Sequence, residues 1–399
     1  MLKKVSISTL ARFGFGLAAC ASFLGVARAD VTSTNAAAIL VYPKIAVNTN
    51  GTAAPNSPPF LTDTLIQLTN TSTNPVNVRC WYVNANGHCS TSPTTICRPN
   101  GDPASDPCAG LGGVCLPGWD EHDFAFRLSP KQPIAWEAGA GLSVLPLADR
   151  PGPGGQFNTG SIPPTPENPM LGELKCIEVG EDEAPVASNS LIGQATIGSG
   201  TGGGDFDQRS YNALGIQATQ VNNGDGTLIL GGDAPEYNGC PGSLSLDHFF
   251  YNAIEPANQD TVQTRLILVP CSEDFTFQSA VTTRVQYLVW NEFEQRFSTS
   301  NPLACYSDLP LVDIDTRPGP LGDATSIFSV AVQGTLAGQT IIRAVDDRSP
   351  DHGNGILAIA EEFHIGSVLT FSAAYVADQR GVRADADVIL VPAAGPTGP

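Results

Sequence analysis

The chain of 399 residues carries 39 acidic and 20 basic side chains, a formal net charge of -19. Such a surface repels phosphate backbones, and no basic stripe with interleaved aromatics occurs, which excludes nucleic-acid binding. Gly (41) and Pro (32) approach a fifth of the residues and charged residues are only 15%. Long amphipathic helices are thereby excluded, and short Val/Ile/Leu/Thr runs between Asn, Gly, Pro and Ser point to an all-β fold.

Residues 1–29 read as an export signal. Lys3, Lys4 and Arg12 form a basic head, Phe13 to Val26 an apolar stretch, and Ala27-Arg28-Ala29 a small-x-small cleavage site. The mature chain then begins at Asp30 with a net charge of -23, since cleavage removes four basic residues and no acidic one. Leu17-Ala18-Ala19-Cys20 offers the competing reading of a lipoprotein box with a lipid anchor on Cys20. The apolar run before it is only seven residues with two glycines, which favours plain export. No later stretch reaches the roughly 18 apolar residues of a membrane span, so the expected location is periplasmic, cell-surface or extracellular, in an oxidising compartment.

In chain order, Ala38 to Pro43 reads as an edge strand ended by proline, and Asp63 to Asn70 alternates with period two. After the turn residues Thr71 to Pro75, Val76 to Val83 returns with Val76, Val78, Cys80 and Tyr82 on one face, which predicts a β-hairpin. Strands follow at Gly172–Val179, Ser190–Ile197, Leu214–Gln220 and Thr227–Leu230, with a Pro/Gly-rich loop at Pro151–Pro169 and a flexible link at Gly198–Gly204. Arg265–Pro270, Arg284–Trp290, Thr325–Gln333, Gln339–Ala344, Val368–Val376 and Val388–Pro392 continue the count, while Ile356–Phe363 fits a strand or a short helix.

The Arg265–Pro270 strand repeats the Ile-Leu-Val-Tyr-Pro pattern, and Ser300 to Tyr306 mirrors Thr73 through Trp81 at a spacing of about 230 residues, which suits a duplicated domain. A strand ending Tyr-Pro, a strand running into Thr-Asn-Thr-Ser, and an Asn-Pro turn before Val-x-Val-x-Cys-x-Tyr resemble the opening strands of immunoglobulin-like modules, including those of periplasmic pilus chaperones. The resemblance covers 36–84 and, more loosely, 264–308. It implies a β-sandwich fold; with the repeat, the chain is read as two such units at 30–258, carrying the cystine-rich insertion 85–120, and 259–392, followed by a disordered tail at 393–399. Insertions at 85–120 and 150–170 depart from the chaperone pattern.

Four cysteines, Cys89, Cys97, Cys108 and Cys115, crowd the first insertion. A Gly/Pro-rich loop without a core is expected to be stapled by two disulfides, in any of three pairings. Zinc is the alternative, but the intervals lack Cys-x-x-Cys knuckles. Of Cys80, Cys176, Cys240, Cys271 and Cys305, at least one is expected to be unpaired or intermolecular by parity. Asp120, Glu121, His122 and Asp123 are the densest acid–base or metal candidates; on a strand Asp120 and His122 share one face and Glu121 and Asp123 the other. Gly198 to Gly203 satisfies Gly-x-Gly-x-x-Gly without a helix to follow, and Asn222 to Thr227 resembles a calcium loop lacking its first and last ligands. There is no Gly-x-Ser-x-Gly and no His-Glu-x-x-His, and five histidines are scattered; His248 reads as a packed strand residue.

These readings lead to an exported, non-enzymatic protein for surface attachment, assembly or extracellular binding, with no cofactor and a surface protein or glycan as partner. The rival reading is a secreted polysaccharide hydrolase using Glu121 or Asp123.

Overall fold

A computed structural model describes residues 31–51, 61–97, 107–142, 162–200, 206–220, 224–256, 259–316, 320–345, 354–366 and 370–392. The expected signal segment at 1–29, Cys20, the expected disordered tail at 393–399, Thr201–Gly204 and most of the Pro151–Pro169 loop lie outside them. The fold is nearly all β, 60% strand against 4% helix, in several sheets.

The first sheet runs in the order Leu214–Ile216, Ile39–Val47, Met170–Val179, Val76–Asn84, Asp120–Leu128. A four-stranded sheet (Phe206–Asn212, Leu191–Gly200, Thr62–Asn70, Pro133–Glu137) covers one of its faces. Between them Leu40, Tyr42, Ile66, Leu68, Val78, Tyr82, Phe126, Trp136 and Leu174 form one core. The opposite face of the first sheet is apolar too: Ile39, Val41, Trp81, Val83 and Ile177 pack with Leu228, Tyr237, Val269, Phe275, Leu357 and Ile389. Both faces being covered, every residue of Ile39–Val47 and Met170–Val179 is buried, which explains their near-continuous apolar runs.

In the second half, a five-stranded sheet (Arg296–Ala304, Thr282–Asn291, Ala337–Val345, Pro241–Phe249, Asp378–Val382) packs on a sheet built around Thr261–Pro270, Ile356–Ile365 and Thr370–Val376. Ile267 and Ile359 from that sheet enter the core between the first two sheets, while Val269 and Leu357 enter the middle core. Thr227–Leu230, Asp387–Leu390 and Glu273–Asp274 form a small sheet beside the middle core. Packing thus crosses residue 258, and so does pairing, since Pro241–Phe249 is bonded on both sides to strands of the C-terminal half.

Several expectations are corrected. The first strand is no edge and does not stop at Pro43. It pairs with Leu214–Ile216 and Met170–Val179 and continues to Val47, with a register shift between Tyr42 and Ile45. Proline has no N–H to give a ladder, and the shift places it where none is demanded. The freed backbone of Lys44 is satisfied by Tyr211, whose hydroxyl accepts from Lys44 N at 3.0 Å and donates to Lys44 O.

The anticipated hairpin is an arch. Thr62–Asn70 and Val76–Asn84 exist with the expected faces but lie in opposite sheets. Asn70 holds the crossing, its Nδ2 donating to Asn74 O (2.7 Å) and Ser129 O (3.0 Å) while its Oδ1 accepts from Ser72 N (2.8 Å). Residues 325–333 are not a strand: Asp315 accepts from Ser326 Oγ and Ile327 N, and Val330–Gln333 forms a helical turn ended by Gly334 in the left-handed region. Ile356–Ile365 is a strand, paired with Thr261–Pro270 throughout. Ser300–Pro302 sits inside the Arg296–Ala304 strand and is no counterpart of the Thr73–Pro75 turn.

Candidate functional site

Val76–Asn84 and Asp120–Leu128 pair antiparallel from Val76↔Leu128 to Asn84↔Asp120, so residues 85–119 are an excursion from the tip of one hairpin. Within it Gly87–Cys89 pairs with Ser92–Cys97 and Cys115–Leu116. Of the three open pairings the structure selects Cys89–Cys108 and Cys97–Cys115. The buried hydrophobic cluster of this excursion consists of Cys89, Cys97 and Cys108, with Cys115 against them, so covalent closure takes the place of a larger core. With its sulfurs in disulfides the loop has no thiolates for zinc.

The foot of the tip is polar. Glu167 accepts from Asn84 Nδ2 and Asn86 Nδ2, both at 2.8 Å, and its Oε1 lies 3.0 Å from His88 Nε2. Gly118 passes so close to Asn86 O that a Cβ there would sit 1.7 Å from it. Leu111, Val114 and Leu116 face solvent, 50%, 62% and 50% exposed. The braced loop thus keeps three aliphatic side chains outside.

Among the described residues the other cysteines form Cys80–Cys176, across neighbouring strands, and Cys240–Cys271, while Cys305 is free and buried.

Asp120–Asp123 opens the strand that leaves the tip, and the alternation splits the four residues as expected. Asp120 and His122 are exposed on the face that continues into Phe124 and Phe126. Glu121 and Asp123 lie on the other face, opposite Val83 and Trp81. Arg79 holds Asp123, its Nη2 at 2.7 Å and Nε at 3.2 Å from Oδ2, while its guanidinium lies 5.1 Å from the centre of the Trp81 ring. Glu121 Oε1 accepts from Gln278 Nε2 at 3.1 Å; Oε2 is buried without a partner. Burial pushes the Glu121 carboxyl up to about 7, against the Gln278 hydrogen bond and with help from the Asp123 charge. The four residues do not converge on one point. Among the described residues, the groups that bring three ligand atoms together are Cys89/Cys97/Cys108 and Cys240/Cys271/Asp387, whose sulfurs are in disulfides.

Glu121 has a measurable consequence. It holds its proton to a higher pH when folded than its ordinary 4.5, so stability falls as pH rises from there to about 7 and stays lost above. Glu121→Gln is expected to be more stable than the parent by about 1 kcal/mol at pH 8, a figure reduced for partial exposure, and equal to it at pH 4. Denaturant melts at the two pH values check this; a difference of the same size at both would refute it.

His248 is a packed strand residue. It is buried, its Nε2 lies 2.8 Å from Thr340 Oγ1, its ring meets Phe250 edge-on, and burial lowers it to about 4. The Gly-x-Gly string contributes Gly198–Gly200 to the end of a strand. In the calcium-like loop Asp225 Oδ1 accepts from Thr227 N at 2.8 Å, and Thr227–Leu230 pairs with Asp387–Leu390.

Other features escape sequence reading. A groove of about 530 Å3 is lined by Asp247, Phe249, Trp290, Glu292, Gln339 and Tyr375, from separate strands with no local pattern. Two lysines in apolar runs, Lys44 and Lys175, are buried among carboxylates, those of Asp308, Glu361 and Glu273 from distant segments and that of Glu173 from the same strand as Lys175. A lone Lys inside a buried-strand pattern was the available signal. No protein-family model matches the chain, and no curated protein matches it.

Proposed function

We propose that this is an exported, non-enzymatic protein of two immunoglobulin-like units, serving in surface attachment or assembly, and that the cystine-braced tip is its contact element. The observation that carries the reading is the exposed Leu111/Val114/Leu116 trio on a loop whose order comes from two disulfides. A preorganised apolar surface binds without the ordering cost a mobile loop would incur, and such anchors suit a protein partner. The export signal, the acidic surface and the sandwich-like pairing of sheets are consistent with it.

The test is retention of the purified protein on washed producer cells. Replacing Leu111, Val114 and Leu116 together by Asp is expected to weaken retention at least about tenfold with an unchanged β-spectrum. Replacing the four tip cysteines by Ser is expected to spare the sheets while opening the chain to protease between Asn86 and Trp119, because the loop lies outside the main cores. Undiminished retention in the first variant, or global unfolding in the second, would overturn the proposal.

One observation favours the rival reading. Glu121, half-buried and near neutral, has the character of a general acid–base on a polysaccharide, with Asp123 about 6.6 Å further along the strand. Asp123 is already engaged by Arg79, which ranks this reading second. Turnover of a glycan substrate, abolished by Glu121→Gln, would reverse the ranking.

A further inference from the structure

The two buried charge clusters are built on opposite plans. In the first, Lys44, Arg209 and Arg265 surround Glu361 and Asp308, and each of the four carboxylate oxygens meets a cation. In the second, Lys175 Nζ contacts Glu173 Oε1 at 3.1 Å, Pro270 O at 3.3 Å and Glu273 Oε2. All three side chains are at most 1% exposed. Glu173 Oε2 and Glu273 Oε1 have no hydrogen-bond partner.

One amine therefore faces two carboxyls. Full ionisation would leave an excess negative charge and two carboxylate oxygens without donors in the buried interior, which desolvation strongly disfavours. Neutral forms avoid it. Burial pushes Glu173 up and Lys175 down, each opposed by the attraction between them. A neutral amine has a free lone pair, a carboxyl carbon adjoins it, and a second acid touches the same nitrogen. Such fixed apposition of reacting groups replaces the entropy cost of a bimolecular encounter.

We propose that Lys175 and Glu273 condense into an intramolecular amide cross-link, with Glu173 as the proton relay. The Lys175 Nζ lone pair attacks Cδ of Glu273 in its acid form, and Glu173 gives its proton to the carbonyl oxygen. As a carboxylate Glu173 then takes a proton from Nζ. It returns that proton to one hydroxyl, which departs as water as the C–O bond breaks, and recovers one from the other hydroxyl as the amide forms. One N–C bond replaces one C–O bond, no oxidant is needed, and Glu173 ends as it began. The product removes the surplus charge. The new bond joins positions 98 apart, the central strand of the first sheet and the Glu273–Asp274 strand beside the middle core. Unlike the nearby Cys240–Cys271 disulfide, it survives reduction.

Intact mass of the purified full chain after reduction and alkylation decides the matter. The expected value is that of the processed sequence less one water, and digestion should yield the Lys175 and Glu273 peptides joined. Glu173→Ala and Lys175→Arg should each restore the missing water and separate the peptides. A wild-type protein at its full mass, or a water loss mapped to any other residues, would overturn the cross-link and leave a buried ion pair; this reading needs only the wild type, whether or not the variants fold.

Discussion

Glu361→Gln is expected to cost the folded protein about 3–5 kcal/mol, since it removes one partner from a buried ionic network. Glu361 is fully buried, with Lys44 Nζ at 2.5 Å from Oε2 and Arg209 Nε against Oε1. Lys44 also reaches Asp308 Oδ2 at 2.8 Å, and Arg265 lies 2.8 Å from Asp308 Oδ1. Lys44 and Arg209 come from the first two sheets and Arg265, Asp308 and Glu361 from the sheet around Thr261–Pro270, so the network pins these sheets together. Three cations are balanced by Glu361, Asp308 and the Asp207 carboxylate 3.8 Å from Arg209. Glutamine leaves a positive charge uncompensated inside.

The pH dependence follows. Burial alone would raise both acids, but Arg265 and Lys44 outweigh it at Asp308, and Lys44 and Arg209 outweigh it at Glu361, so both are held below the usual carboxylate range. A depressed carboxyl contributes stability that is present above its ordinary range near pH 4 and lost as pH falls through its folded value. The parent should therefore weaken below about pH 4, and Glu361→Gln should show a shallower acid slope. Urea melts with Lys44→Met and the double variant complete a cycle. A loss below about 1 kcal/mol, or strict additivity, would show the network to be energetically idle.

The second large effect belongs to Cys80–Cys176. The two residues face each other across neighbouring strands inside the first core, 96 positions apart. Closing a loop of that length restricts the unfolded chain by about 4.7 kcal/mol in the chain-entropy model, against about 3.7 for Cys240–Cys271, whose separation is 31. Replacing Cys80 and Cys176 by Ala should lower the denaturation midpoint most of all the cystine pairs. Removal of either tip disulfide should leave that midpoint nearly unchanged, because its loss is confined to a segment without a share in the main cores. Equal losses from the tip and from Cys80–Cys176 would sink the distinction.

Much of the local structure was legible. Thr227–Leu230 has the bounds its pattern announces, and Val76, Val78, Cys80 and Tyr82 share the inward face that alternation assigns them. Stapling of the tip followed from its Gly/Pro content, and the split of Asp120–Asp123 from the pleat. The arch at Asn70 was not legible, because period two records which face is buried and not which strand lies alongside. Nor was the interior place of Ile39–Val47, since burial on both faces erases alternation.

An all-β chain, many of its strand-forming segments and the odd cysteine follow from the order of amino acids alone, because propensity, pleat and parity are local or countable properties. Which cysteines pair, that the halves share a core, and what the lysines meet were settled only when the sheets came together. Lys44 finds Glu361 at a separation of 317 and Lys175 finds Glu273 at 98. Such partners are chosen by how the sheets stack, where the cost of an unpaired buried charge selects the arrangement, and no spacing along the chain carries that information.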